Sequence, residues 1–232
     1  MSNMISYINK QNSVYRLKVE FFNFVNYTYV IVDKNSRQAA IIDPAWDSNK
    51  IISLVNELDI KLTTILITHL HYDHVNMVNV LLDKFHPQVY VSAKEIDYYG
   101  CDFKNLNAFN DFEIINLGNT QITCLLTSGH TVGSACFFMS DSIFTGDTVF
   151  IEGCGICATV GGSAEEMFES IQKIKKYINP DLRVFPGHSY GKIPGYPLRY
   201  LIENNIYFLI DKKEYFINFR MRENQKNIYK FV

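Results

Sequence analysis

Between Thr68 and His74 the chain reads Thr-His-Leu-His-Tyr-Asp-His, which places four side chains of metal-binding type within six residues. The segment follows Thr64–Thr68, TILIT, a short continuous apolar run expected to be a strand covered on both faces. In extended backbone, residues i and i+2 share a face, so His69 and His71 can converge on one ion. A helix is expected from Val75 to Lys84, and the turn into it releases Asp73 and His74 toward a second position nearby. Neutral imidazole and carboxylate suit zinc or iron, and a cluster without thiolate argues against a structural Cys-rich zinc site. A lone histidine is ordinarily a surface or hydrogen-bonded residue. Three imidazoles and a carboxylate buried together serve no cheap structural purpose.

One further pattern repeats along the chain: a strand, a glycine turn, then a ligand-type side chain. It occurs as Ser128-Gly129-His130 after Thr120–Thr127, as Thr145-Gly146-Asp147 after Ile143–Phe144, and as Pro186-Gly187-His188 after Arg183–Phe185. Glycine lets the backbone double back so that the next side chain stands at the sheet edge. Five of the six histidines fall in these four segments, and His86, before Pro87, reads as a surface turn residue.

The elements that must position these residues form two series. Strands are expected at Val14–Phe22, Thr28–Asp33 and Gln38–Ile42, followed by a helix at Asn49–Leu58, a strand at Gln88–Ser92 and a helix at Ala93–Tyr99. Strands return at Phe112–Asn116, Thr120–Thr127, Ala135–Met139 and Ile143–Thr145, followed by a helix at Ala164–Tyr177 and a strand at Arg183–Phe185. Asp211 with Glu214 reads as a capping box opening a helix through Met221. Each half is thus strands followed by an α/β stretch, which predicts two sheet-plus-helix layers packed face to face in a single domain spanning 1–232. With 232 residues, the chain can bury a core without disulfide staples.

A net charge of −2, from 22 basic and 24 acidic residues, gives no electrostatic footprint for nucleic acid or an anionic membrane. Five scattered cysteines do not form a disulfide framework, and no run approaches the roughly 18 apolar residues of a membrane helix. A reducing, cytoplasmic setting is the expectation. Cys154-Gly155-Ile156-Cys157 lacks a second Cys pair and a thioredoxin-like strand–helix context, and is read as structural.

The order THLHYDH, SGHT, TGDT and PGHS, from 68 to 189, resembles the metal motifs of the metallo-β-lactamase superfamily and, within it, the glyoxalase II-like hydrolases. The resemblance implies a four-layer αββα sandwich of the α/β (α+β) class, with a metal site at one end of the two sheets. Carried over by residue, His69, His71 and His130 would hold one metal. Asp73, His74 and His188 would hold the other, with Asp147 bridging. Two zinc ions are the implied cofactors, and iron or manganese suit the same donors. DPAW at 43–46, HYDHVN at 71–76, GDTVFIEGCGIC at 146–157, PGHSYGK at 186–192 and the tail DKKEYFINFRMR resemble a narrower subgroup, the zinc-dependent hydrolases accompanying polyketide synthases with free-standing acyltransferases. For that subgroup the implied partner is an acyl carrier protein bearing an acyl thioester.

The chemistry so implied is hydrolysis with two metals, in which Asp73 also orients the nucleophile and a thiolate leaves without strong acid help. Departures from glyoxalase II point the same way. Ile156 stands where a basic residue contacts glutathione, and Ala158 where a tyrosine does; Tyr190 is retained and could touch an amide on the thiol side. A glyoxalase II-type hydroxyacyl-thiol hydrolase, which these departures disfavour, is one alternative. Mononuclear iron persulfide dioxygenases are another; these commonly carry Arg at the position of Ile156.

Overall fold

Side chains that alternate between two apolar environments organise the first half of the chain. The computed structural model describes residues 5–223 and 225; the remaining parts of the expected 1–232 span lie outside the described residues. Seven strands hydrogen-bond in chain order: β1 (Ile5–Ile8), β2 (Asn12–Phe21), β3 (Phe24–Asp33), β4 (Gln38–Ile42), β5 (Lys61–Leu66), β6 (Gln88–Ser92) and β7 (Leu106–Phe109). Pairing is antiparallel through β4 and parallel from β4 to β7. Each parallel step is bridged by helix: α1 (Ser48–Glu57), then α2 (Tyr72–Val75) with α3 (Val78–Phe85), then α4 (Ala93–Tyr99). Ile41, Ile65 and Val89 face Ile51, Leu54, Val78 and Leu81 of the helices. Ala40, Ile42 and Leu66 face the other way, into the middle of the molecule. That period of two on a strand buried on both faces explains why TILIT reads as an unbroken apolar run.

The second sheet repeats the plan with β8 (Ile114–Leu117), β9 (Thr120–Leu126), β10 (Ala135–Phe138) and β11 (Ser142–Gly146) in an antiparallel meander. A two-stranded hairpin of β12 (Val149–Phe150) and β13 (Gly153–Cys154) follows, then α5 (Ala164–Tyr177) and β14 (Arg183–Pro186), which pairs parallel to β11. Met167, Phe168, Ile171 and Ile174 of α5 recur at helical spacing and bury against Leu125, Cys136 and Val184. Ser163 caps that helix by accepting from the Glu166 N–H at 3.2 Å, with acidic residues in its first turn and Lys175 and Lys176 in its last, as the helix dipole favours. Three short helices close the same face: α6 (Leu198–Asn204), α7 (Ile206–Leu209) and α8 (Lys213–Arg220). Phe109, Phe137, Phe144 and Phe185 fill the middle layer between the sheets. The result is the expected helix–sheet–sheet–helix order.

Several local expectations are corrected. The helix expected over Val75–Lys84 is two helices, because Asn76 and Met77 break it; the Asn76 side-chain Oδ1 accepts from the Trp46 backbone N–H at 2.8 Å. The strand expected to reach Thr68 stops at Leu66. No capping box opens the last helix: its N-cap is Lys212, with no side-chain cap bond. The short elements β1, β7, β12, β13, α6 and α7 were not anticipated from the sequence. His86 is an exposed helix cap in the left-handed region. Among the described residues, no helix is long and apolar enough to cross a membrane.

Candidate metal centre

All seven side chains singled out by type and spacing meet past the ends of β5, β9, β11 and β14, where both sheets finish. Gly146 takes φ +47°, and a Cβ there would lie 2.3 Å from Thr68 Oγ1. Gly187 serves by its small size, since a Cβ would lie 2.6 Å from the His74 ring and 2.7 Å from Asp147 Oδ1. Thus two of the three glycines are required for the approach of the two sheets' loops.

The side chains form two groups. The first brings His69 Nε2 and His130 Nε2 to 3.1 and 2.9 Å from His71 Nδ1. In the second, His188 Nε2 lies 3.3 Å from Asp73 Oδ2, and His74 Nε2 lies 3.7 Å from the same oxygen. Asp147 stands between them: its Oδ1 is 3.5 Å from His74, and its Oδ2 is 3.6 Å from His130 and 3.4 Å from His188.

The far side of each ring is held by a built acceptor. His130 Nδ1 donates to the Ile156 carbonyl at 2.7 Å, and His188 Nδ1 to the Val25 carbonyl at 2.7 Å. His74 Nδ1 donates to Asp43 Oδ2 at 2.9 Å. The Thr68 hydroxyl gives its proton to the same Asp43 oxygen at 2.6 Å, which leaves it to accept from His69 Nδ1 at 3.0 Å. Such outer partners fix tautomer and ring direction at metal sites.

Proton accounting tests whether a metal fits. With their Nδ1 protons committed, neutral His69 and His130 each present an Nε2 lone pair toward His71 Nδ1. One proton on that nitrogen can satisfy only one of them, whereas a cation satisfies all three. His74 Nε2 and Asp147 Oδ1 are buried with no hydrogen-bond partner. Both observations fit a cation that accepts nitrogen and oxygen donors, as zinc does. Asp43, His69 and His74 also lie within metal-ligand reach of one another. The Asp43 carboxylate, however, is filled by the Thr68 N–H at 2.8 Å, the Thr68 hydroxyl and His74, so it orients the centre from behind.

Electrostatics divides the groups as well. Burial and then repulsion among the imidazoles hold His69 well below the ordinary histidine range. Burial brings His130 down to about 4, and it also lowers His71. Burial also acts downward on His74 and His188, but the Asp73 and Asp147 carboxylates outweigh it, aided at His74 by Asp43, and raise them to about 9 and about 10. Those imidazoles in turn outweigh the effect of burial on Asp73 and Asp147, and hold both carboxyls well below the usual range. One group is therefore ready with lone pairs; the other is a charge-compensated cluster from which an incoming cation displaces protons.

Two positioning residues carry no sequence signal of that role, although Asp43 opens the DPAW motif. Asp43, at φ +49°, reaches Thr68 and His74 across 25 and 31 residues. Glu95, fully buried on α4, accepts from the Leu70 N–H at 2.9 Å, between His69 and His71. Its other oxygen accepts from the Thr131 hydroxyl at 2.9 Å and the Gly133 N–H at 2.7 Å, just past His130. Glu95→Ala would strand the Leu70 and Gly133 N–H groups, each costing about 1–3 kcal/mol when left unpaired in the interior, and would leave the Thr131 hydroxyl with Ser134 alone. Denaturant unfolding of the metal-free protein should show a loss on the order of 3–5 kcal/mol. A loss under 1 kcal/mol would mean the clamp is redundant.

A cavity of about 370 Å³ opens onto the centre, lined by His71, Asp73, His130, Asp147 and His188 together with Phe24, Ile156 and Tyr190. Tyr190, half-buried, stacks on Phe150 with ring centroids 6.1 Å apart. Cys154 and Cys157 are buried free thiols under the same loop; there Arg220 Nε donates to the Gly155 carbonyl at 2.9 Å, steadying the turn whose Ile156 carbonyl holds His130.

The chain is 51% identical over 97% of its length to the probable polyketide biosynthesis zinc-dependent hydrolase PksB of Bacillus subtilis, all of which is covered. It is 48% identical over 94% of its length to the corresponding probable hydrolase BaeB of Bacillus velezensis, covering 97% of that protein. Among solved structures, a metallo-beta-lactamase from Staphylococcus aureus superposes with a TM-score of 0.83 at 24% identity, over 93% of this chain and 68% of the other. Residues 22–188 match the metallo-beta-lactamase superfamily, and this span holds every side chain of the centre just described; the chain belongs to that superfamily.

Proposed function

We propose that the protein is a hydrolase holding two zinc ions, and that it releases acyl groups from acyl carrier protein thioesters during polyketide biosynthesis. The observation that carries the reading is the pair of donor groups joined by Asp147, with the Asp147 oxygens 3.4–3.6 Å from three imidazoles. The names of the PksB and BaeB relatives support the zinc and the pathway. His69, His71 and His130 would hold one ion and Asp73, His74 and His188 the other, with Asp147 shared. When bound, zinc supplies Lewis acidity that polarises a substrate carbonyl and brings the pKa of water down to about 7.

The chain's own residues do the rest. Asp73 faces the cavity as a carboxylate, fixed by the Asn26 amide, which donates to its backbone oxygen at 2.9 Å and to Oδ2 at 3.1 Å. From there it can orient an attacking water. The expelled thiolate has a pKa near 8.5, so no strong acid is needed to release it. Ile156 gives the cavity an apolar wall at the position that distinguishes this chain from glutathione-handling relatives, and Tyr190 lines the same cavity, where an amide of the thiol arm could lie.

Intact-mass measurement of acyl-loaded carrier protein, incubated with the enzyme with and without a chelator, tests this reading. The acyl mass should disappear only when metal is present. Persistence of the acyl group across short and long chains would remove the carrier-protein reading and direct attention to small thioesters.

A further inference from the structure

A row of aromatic side chains stands in solvent beside the centre. Phe22, at the tip of the β2–β3 hairpin, is 88% exposed, Phe21 51% and Phe24 45%; Tyr72, the residue before Asp73, is 73% exposed. Trp46 ties them together: its ring stacks on Phe21 at 5.0 Å and 12°, and lies 6.0 Å from both Phe24 and Tyr72. Phe22 meets Phe21 edge-on at 4.7 Å. Contiguous exposed apolar surface of this kind marks a place where something apolar binds.

Three observations point to what binds. Phe24 belongs both to the row and to the wall of the cavity, so the apolar strip runs without a break to the metal centre. The indole is fixed rather than free: Trp46 Nε1 donates to Asn26 Oδ1 at 2.7 Å, and the Asn26 amide in turn holds Asp73. Trp46 also sits at φ +59°, a left-handed backbone that a bulky residue adopts only when its surroundings impose it. Finally, the cavity lining contributed by the C-terminal helices and tail sets Arg220, Arg222 and Gln225 among Ile206, Tyr207 and Phe219, which adds cationic and amide groups that the aromatic row lacks. A substrate that is apolar on one side of its scissile bond and polar on the other is therefore given a direction.

We propose that the Phe21–Phe22–Phe24–Trp46–Tyr72 row is the acyl-chain subsite: it seats long apolar acyl groups and selects them over short ones. The proposal rests on the thioester reading above and assigns the orientation of that substrate, with the acyl chain along the aromatic row and the thiol arm toward Tyr190 and the arginines.

Trp46 is the only tryptophan in the chain, so its emission reports directly on this surface. The experiment titrates zinc-loaded protein with acyl-pantetheine amides, which cannot be hydrolysed, from acetyl to dodecanoyl. Each buried methylene is worth about fourfold in affinity, so partial seating of the longer chain should tighten binding at least about tenfold and shift the emission to the blue. In the Phe21→Ser/Phe22→Ser double variant, checked for folding by its thermal melt, both the gain and the shift should be lost. Equal affinity for all chain lengths, long-chain binding without an emission change, or wild-type behaviour of the double variant would each overturn the proposal. So would occupation of the row by vesicles or by a second copy of the chain without any dependence on acyl length. The same amides separate the two readings. Chain-length-dependent binding with no thioester hydrolysis leaves the subsite standing and removes the thioesterase, whereas hydrolysis indifferent to chain length does the reverse.

Discussion

Replacing Asp147 with alanine should cut kcat/KM for thioester hydrolysis by at least about a thousandfold, a barrier increase of roughly 4 kcal/mol. The reason is its place between the two donor groups, with oxygens 3.5, 3.6 and 3.4 Å from the Nε2 atoms of His74, His130 and His188. The other six side chains fall into sets of three; the Asp147 carboxylate reaches imidazoles of both. On the two-ion proposal, metal analysis should find two zinc ions per chain in the parent and no more than one in the variant. Asp147→Asn keeps the shape but removes the charge, and should resemble alanine more closely than wild type. Two equivalents of zinc and undiminished turnover in either variant would sink the two-ion proposal. Fold loss would not mimic the result, because a melting curve separates a collapsed chain from an intact one that lacks metal.

The second large effect is expected one step behind the centre. Asp43 accepts from the Thr68 N–H, the Thr68 hydroxyl and His74 Nδ1, all within 2.9 Å. Asparagine retains one oxygen, so its NH2 must face either the Thr68 N–H or the Thr68 hydroxyl and His74 together. The first orientation strands a backbone donor, and in the second His74 could bond only by moving its proton to Nε2, the atom that faces Asp73 and Asp147. Zinc affinity should fall about 10–100-fold, the usual size of outer-partner effects at metal sites. Asp43→Ala should in addition destabilise the metal-free fold by about 3–5 kcal/mol, because it strips a buried imidazole of its bonded carboxylate. Competition against a chromogenic chelator measures the first quantity, and denaturant unfolding the second. An Asp43→Asn protein that binds zinc as tightly as its parent would show that the His74 tautomer does not matter.

These two residues show where the sequence is readable. Thr68–His74 declares itself because four donors fall in one short segment at a strand end, and Gly129, Gly146 and Gly187 mark the other three arrivals. The layered plan is equally legible in the alternation of Ile41, Ile65 and Val89 with Ala40, Ile42 and Leu66. Asp43 and Glu95 leave no such trace. Each works through hydrogen bonds spanning 25 residues or more, and an isolated carboxylate before a proline or inside a helix looks like any other. The helix break at Asn76–Met77 was hidden for a related reason, since its apolar periodicity is intact and the break is held by Trp46, thirty residues away. Elements such as β12, β13 and α7, of two to four residues, are too short to show a period at all. Nothing in the order of the residues joins Phe21, Phe24, Trp46 and Tyr72; only the fold brings them side by side.

The division of the donors between sheets has a bearing on how damage to this protein would show itself. His69, His71, Asp73 and His74 follow a strand of the first sheet, while His130, Asp147 and His188 follow strands of the second. Neither sheet alone offers either complete set of three, so a tightly held ion measures how well the two faces are seated on each other. Shaving Phe137, deep in the middle layer, would leave every donor in place yet let the faces shift by fractions of an ångström. Zinc should then leak away at temperatures where circular dichroism still reports an intact fold. The rate of ion escape is thus a strain gauge for the whole sandwich, read at one end of it.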